Sequence, residues 1–420
     1  MAGGLPQLQD IVKEFTRKVY QPGYDNYSTL IHIGNTDGWV KALMTLCNPG
    51  EGILAAEWTY PSALSAMIPF GIKPISMPMD SQGIRSDKLR SLLSEWDKYE
   101  RNMPRPHVMY TIPVGQNPTG VTTEAARKKE IYDICVEFDI IIVEDDPYYF
   151  LQQGPYVRPE ERIHDHISFT SDEDYIAQLA PSYLRFDYQG RVIRLDSFSK
   201  TVAPGCRMGW FTCNSIFAER LERQSETSTQ APCGFGQSLV TALMLEWGHE
   251  GYIRWLRALR LQYKERRDFF VDCLHKEFHV EHEIILSGAS EGCNGYLVFD
   301  RPMVSPSDGY EKYYPDARSK AMFSFVPPTS GMFIWIKLHL DQHPSLKELG
   351  TAGLEMKLWE LLAEAGVLFG PGSMFGADNE VNGSESIGHF RISFSNAEAK
   401  DMEQAIVIFA TVLRKFFKNI

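Results

Sequence analysis

The sequence is short of what marks a nucleic-acid binder, a membrane protein or a disulfide scaffold. Lys and Arg together number 42 against 54 Asp and Glu, for a formal net charge of −12. A phosphate-backbone binder presents a basic stripe, and without one no nucleic-acid partner is expected. The seven cysteines, at 47, 135, 206, 213, 233, 273 and 293, are odd in number and form no C-x-x-C pair. That spacing argues against zinc, a redox dithiol or a disulfide framework, and predicts reduced intracellular thiols and no metal site. No apolar stretch reaches the roughly 20 residues a membrane helix needs, and no charged start leads into an apolar segment. The expectation is a cytoplasmic protein with no membrane partner. There is no internal repeat and no low-complexity segment.

What is present is an ordinary globular balance, 44% hydrophobic and 23% charged, over 420 residues. That length predicts two domains. Short apolar runs at Leu30–Ile33, Ile53–Ala56, Ile75–Met77, Val108–Ile112, Ile140–Val143, Val192–Leu195 and Trp210–Cys213 alternate with helical patterns. This predicts an α/β fold with a mixed, mostly parallel sheet covered on both faces. A charged helical pattern from Gly251 to about Phe278 leads into a last third with strands around Phe333–Ile336 and Phe390–Phe394 and a helix over Leu354–Leu362. A final helix carries Met402, Ile406, Phe409 and Leu413 behind a Ser395-x-x-Glu398 capping box. The expected division is an N-terminal helical segment over 1–29, a large domain over 30–264 and a smaller C-terminal α/β domain over 265–420. In the first segment Leu8, Ile11, Val12, Phe15 and Val19 recur at helical spacing. With no preceding strand to cover that stripe, it predicts a partner chain. Loops over 152–188 and 301–326 read as insertions, the second carrying Pro302, Tyr310 and Pro315.

In open α/β sheets, ligands collect beyond the C-terminal ends of the strands. Three polar clusters fall at such ends: Gln116-Asn117-Pro118-Thr119-Gly120, Glu144-Asp145-Asp146-Pro147-Tyr148, and Asp196-Ser197-Phe198-Ser199-Lys200. A lysine in such a turn is costly to shelter unless its amine is neutral or covalently used. Lys200, with Ser197 and Ser199 before it and Arg207 after it, offers an amine for imine chemistry and donors for a phosphate dianion. That combination suits pyridoxal 5'-phosphate, although the same motif alone also reads as a solvated loop. Gly34-Asn35-Thr36 opens a helix whose first amides can meet an anion. Asp145 is placed to pair with a pyridine nitrogen, Asn117 and Tyr148 to reach a phenolic oxygen, and Tyr60 to lay its face on a ring. Arg391, on an apolar strand, needs either a substrate carboxylate or a structural ion pair.

Tyr60, Gln116-Asn117-Pro118-Thr119-Gly120, Asp145-x-Pro147-Tyr148, Ser197-x-Ser199-Lys200 to Arg207, Gly331-Met332-Phe333-Ile334-Trp335, Pro371-Gly372-Ser373-x-Phe375 and Phe390-Arg391-Ile392-Ser393-Phe394 stand in an order that covers nearly the whole chain. In this order they resemble the fold-type I class I/II aminotransferases, and within these the branch holding fungal aromatic-amino-acid, 2-aminoadipate and kynurenine aminotransferases. The resemblance implies a transaminase that works by ping-pong between an amino acid and a 2-oxo acid. Lys200 would form the internal aldimine and act as the base, and Asp145 would pair with the pyridinium. Asn117 and Tyr148 would hold the phenolic oxygen, and Tyr60 would stack on the ring. Ser197, Ser199, Arg207, Asn35 and Thr36 would bind the phosphate, and Arg391 with Asn117 the substrate carboxylate. It also implies a homodimer with active sites at the subunit boundary. A further N-terminal region of the family, with a tyrosine reaching the neighbour's phosphate, is not found ahead of Met1-Ala2-Gly3. The cofactor site alone does not select the bond broken, so a carbon–sulfur lyase stays open as an alternative, as does a noncatalytic effector-binding module.

Overall fold

The computed structural model describes residues 2–162, 171–301, 320–377 and 388–418. The stretch 302–319, which holds Pro302, Tyr310 and Pro315, lies outside the described residues, as does 163–170 within the first predicted insertion. The strands are β1 (Tyr27–His32), β2 (Gly52–Ala56), β3 (Lys73–Met77), the small hairpin β4 (Met79–Asp80) and β5 (Gly83–Ile84), β6 (Val108–Thr111), β7 (Ile141–Asp145), β8 (Val192–Ser197), β9 (Gly209–Asn214), β10 (His279–Ile284), β11 (Asn294–Phe299), β12 (Phe323–Phe325), β13 (Phe333–Leu338), β14 (Gly370–Pro371) and β15 (His389–Ser393). The helices are α1 (Pro6–Val19), α2 (Asn35–Leu46), α3 (Pro61–Met67), α4 (Ser86–Ser94), α5 (Ala125–Glu137), α6 (Asp172–Gln178), α7 (Ser215–Glu226), α8 (Gly234–Glu277), α9 (Leu346–Glu364) and α10 (Ala399–Lys418).

Seven strands form one sheet in the order β1-β9-β8-β7-β6-β2-β3. The pairs β8/β7, β7/β6, β6/β2 and β2/β3 are parallel, and β9 runs against both of its neighbours. This is the mixed, mostly parallel α/β sheet expected from the apolar runs. Successive side chains of a strand point to opposite faces, and adjacent residues accordingly enter different cores: Ile53, Val143 and Ile193 one, Leu54, Ile142 and Val192 the other. A sheet buried on both faces has no use for alternating polarity, which is why its strands read as continuous apolar runs. The other large sheet, β10-β11-β12-β13-β15-β14, is antiparallel throughout. Long α8 runs between the two sheets in sequence and kinks at Gly248 (φ 61°, ψ 180°), a backbone state that suits glycine.

Two expectations need correction. The stripe of α1 does not wait for a second chain: Leu8, Val12, Phe15 and Val19 are buried in a core shared with Ile31, Trp210, Val240, Met244 and Tyr252. The cover comes from later in the chain, from β9 and the first half of α8, which the order of residues does not reveal. Nor does Ser395 cap the last helix. Met402 N–H donates to the Glu398 carbonyl, so the helix starts beyond Ser395, whose hydroxyl instead pairs with that of Ser393 at 2.9 Å.

Candidate active site

The neighbouring parallel strands β6, β7 and β8 set their C-terminal ends side by side, with Thr111 opposite Glu144 and Asp145 opposite Leu195. Their following loops therefore converge. The Gln116–Gly120 loop is drawn toward the antiparallel sheet at a backbone crossing between Gly115 (φ 56°) and Gly331 (φ 80°). A Cβ on Gly115 would lie 2.5 Å from the Gly331 nitrogen, so both positions require glycine for close approach as well as for positive φ. The Gln116 side chain ties the loop further by donating to the Trp58 carbonyl at 2.7 Å.

A cavity of about 400 Å³ opens at this junction. Asn35, Thr36, Tyr60, Asn117, Asp145, Tyr148, Ser197, Ser199, Lys200, Arg207 and Arg391 all line it, so residues scattered over more than 350 positions share one wall. Ile112, Pro147, Met332 and Phe333 supply its apolar part.

Lys200 ends a single helical turn after β8 and is half-buried. Among the described residues its amine has no hydrogen bond or ion pair. Burial, followed by the cations of Arg391 and Arg207, pulls the amine below the ordinary lysine value. Before it, the Ser197 hydroxyl accepts from the Ser199 N–H at 3.0 Å. Arg207, in the left-handed region at φ 45°, reaches back to donate to the Ser199 hydroxyl at 3.3 Å and to the Ile33 carbonyl at 3.2 Å. Gly34 makes room for this: a Cβ there would meet the Arg207 guanidinium at 2.4 Å. The first amides of α2 thus lie beside a guanidinium and two serine hydroxyls, a ready anion site. His32 keeps the turn in place by accepting the Gly34 N–H on Nδ1 at 3.1 Å, and burial holds its ring neutral, with its pKa down to about 3.

Arg391 lies on β15, where its guanidinium stacks over Phe333 at 4.3 Å and Phe375 at 4.8 Å. It donates to the Asn117 side-chain oxygen at 2.9 Å, and its buried Nε has no partner among the described residues. Among the described residues it has no carboxylate partner, so the structural ion pair considered from sequence is not formed. Burial and Asp145 raise the Tyr148 phenol, which stays a neutral donor.

Sequence reasoning missed what stands around Asp145. Alternation along β7 sends Glu144 and Asp146 to the side of the sheet away from Asp145. There Arg194 of β8, fully buried, meets Glu144 at 3.2 Å, Asp146 at 3.0 Å and Asp196 at 2.9 Å. The rings of Tyr20 and Tyr149 lie against its guanidinium at 3.9 and 4.8 Å. Three acidic side chains thus gather around one buried guanidinium at the strand ends, two of them the chain neighbours of Asp145. The only signal in the sequence was an arginine inside an apolar strand.

The model of the family "aminotransferase class I and II" matches residues 2–289. The chain belongs to the class I and II aminotransferases. An aromatic amino acid aminotransferase of Schizosaccharomyces pombe is 36% identical over 99% of this chain and 78% of its own length. The rat mitochondrial kynurenine/alpha-aminoadipate aminotransferase is 30% identical over 95% of this chain and 78% of its own. Among solved structures, the aminotransferase Aro8 from Candida albicans superposes with a TM-score of 0.82 at 32% identity, over 99% of this chain and 78% of that one. This aminotransferase is thus an enzyme of α/β fold type I. Neither a lyase nor a noncatalytic module is favoured by any observation of the site.

Proposed function

We propose that this aminotransferase uses pyridoxal 5'-phosphate to move the amino group of aromatic amino acids to a 2-oxo acid, in ping-pong order. The observation that carries the reading is the charge arrangement of the cavity. Three cations, Lys200, Arg207 and Arg391, face one buried carboxylate, Asp145, and Arg391 has no carboxylate partner among the described residues. A group with a phosphate dianion at one end and a protonatable ring nitrogen at the other fits this arrangement, with the substrate's carboxylate matching the remaining guanidinium. When bound, such a cofactor supplies an electron sink for the carbanion left at the substrate α-carbon.

The protein's own part follows from position. Lys200 would hold the cofactor through Nζ and, once released from it, would accept the substrate α-proton and return it. Arg207, Ser197, Ser199, Thr36 and the first amides of α2 bind the phosphate. Asn117 and Tyr148 donate to the phenolic oxygen, Asp145 pairs with the ring nitrogen, and Tyr60 covers the ring. Arg391, held by Asn117, orients the α-carboxylate. For the substrate side chain the wall offers Ile112, Met332 and Phe333, and all three of its cations are already assigned. This supports an aromatic side chain over an acidic one such as 2-aminoadipate, as does the name of the Schizosaccharomyces pombe relative.

Two further parts of the reading concern organisation. All strands of the seven-stranded sheet come from 27–214 and all of the six-stranded sheet from 279–393, which supports a large domain followed by a small one, although β1 crosses the expected boundary at 29/30. A homodimer is supported by Phe235 and Leu239, one turn apart on α8 and 85% and 73% exposed. A cytoplasmic location agrees with the absence, among the described residues, of any helix long and apolar enough to cross a membrane.

The test is an absorbance scan of the cofactor-loaded protein with a panel of amino acids. Tyrosine and phenylalanine should convert the bound aldehyde form to pyridoxamine phosphate with one equivalent of 2-oxo acid released. Release of ammonia and pyruvate, or conversion only by acidic amino acids, would refute the proposal.

A further inference from the structure

The side chain of Asn35 does not point at the anion site that its backbone helps to form. Its Nδ2 donates to Asp145 Oδ1 at 2.7 Å and to the Leu195 carbonyl at 3.1 Å. Its orientation is forced, because turning the amide over would set its oxygen against a carboxylate and a carbonyl, both acceptors. On the other side, the Tyr110 hydroxyl donates to Asp145 Oδ2 at 2.6 Å. Tyr110 is wholly buried, with its ring 4.5 Å from that of Trp39, and burial together with Asp145 raises its phenol far above the ordinary value. It therefore remains an O–H donor and cannot compete for the negative charge. Both oxygens of Asp145 thus accept a strong hydrogen bond from the protein, one from the start of α2 and one from the end of β6.

This matters because Asp145 is 5% exposed. Burial pushes its carboxyl up, and the neighbouring charge of Asp196 adds to this, while the bonds from Tyr110 and Asn35 and the charge of Arg194 pull it down. We infer that Asn35 and Tyr110 are positioning residues that lower the proton affinity of the Asp145 carboxylate, so that the proton shared with a bound cofactor rests on the ring nitrogen rather than on the aspartate. The inference rests on the cofactor reading above. Its logic is a competition between two bases for one proton. Each donor stabilises the charged carboxylate but not the protonated one, so removing a donor favours the pair of neutral pyridine and carboxylic acid. No proton enters or leaves the site, and what changes is the atom that holds it. A hydrogen bond to a charged group shifts such an equilibrium roughly 10- to 100-fold.

The experiment is nitrogen NMR of the holoenzyme loaded with pyridoxal phosphate carrying 15N in the ring. The wild-type resonance should lie at the pyridinium position. Tyr110→Phe keeps the ring and its packing while deleting the donor, and Asn35→Ala deletes the other independently. In both, the resonance should move toward neutral pyridine as the proton-position equilibrium falls roughly tenfold or more, at unchanged pH and cofactor occupancy. A purely structural role would lower melting temperature or occupancy and leave the resonance of the bound fraction in place. A pyridinium resonance unchanged in both variants overturns this inference alone. A neutral ring nitrogen already in the wild type, or failure to bind the cofactor at all, overturns the cofactor reading and this inference with it.

Discussion

Arg391→Ala removes a guanidinium that donates to the Asn117 side chain at 2.9 Å and lies between the faces of Phe333 and Phe375. The contacts with both rings and with Asn117 are in place before any substrate arrives, so little rotamer freedom is lost on binding. A charge-assisted contact of this kind contributes about 1.5–3 kcal/mol, and its loss should raise KM for tyrosine or phenylalanine roughly 10- to 100-fold. Arg391 is the first charged cause of the lowered Lys200 amine after burial. Losing a cation weakens the repulsion that disfavours the ammonium, so the variant's Lys200 should titrate at higher pH than the wild type's. The assay is kcat/KM against tyrosine and against tyramine, which lacks the carboxylate, with the cofactor dissociation constant measured in parallel. Selectivity for tyrosine over tyramine should collapse while cofactor affinity changes little. Arg207→Ala should show the reverse pattern, because Arg207 sits at the anion site of α2 rather than beside Asn117. If Arg391→Ala loses cofactor first and keeps its preference for the carboxylate, Arg391 serves the fold and the assignment is refuted.

Lys200→Ala should abolish turnover while leaving the unfolding midpoint nearly unchanged, since the amine makes no hydrogen bond or ion pair among the described residues. Borohydride reduction of the loaded wild type followed by peptide mapping should place the label on Lys200, and label on another lysine would exclude the assignment. Gly115→Ala sets a Cβ 2.5 Å from the Gly331 nitrogen at a positive φ. It should cost on the order of 2–3 kcal/mol in urea unfolding; a neutral substitution would mean that the loop yields at the crossing. His389, buried and stacked on Trp335 at 4.9 Å, is held neutral by burial, with its pKa down to about 3. Because the unfolded chain takes up that proton near its ordinary value of about 6.5 and the folded one does not, the wild type loses stability as pH falls through this window. His389→Phe removes the penalty, so its stability relative to the wild type should improve by about 1.4 kcal/mol per pH unit below about pH 6.5. A difference independent of pH would show that His389 is solvated or paired when charged.

The aminotransferase fold and most of the site were legible in the linear order because both depend on short-range chemistry. An α/β sheet buried on two faces needs continuous apolar strands, and Ile53–Ala56, Ile140–Val143 and Val192–Leu195 read that way without knowing their neighbours. Polar clusters at strand ends, a lysine after two serines and an aspartate closing an apolar run each occupy a few consecutive positions. They suggest a chemistry before the folded shape is known. What depends on distant partners could not be read this way. The cover on α1 comes from α8, over 200 positions later, so a stripe that looked unpaired proved to be buried. Arg391 read as a substrate ligand, with a structural ion pair as the lesser alternative, until the fold set it on Asn117 and against two phenylalanines, with no carboxylate partner among the described residues. Asn35 read as part of an anion-binding turn, and only the approach of β7 to the start of α2 could turn its side chain onto Asp145. Tyr110 looked like any aromatic in a core strand. Its hydroxyl gains meaning from Asp145 on the neighbouring strand, two residues beyond its ladder partner Val143, because pairing between strands is fixed by the whole sheet and not by any stretch of the chain alone.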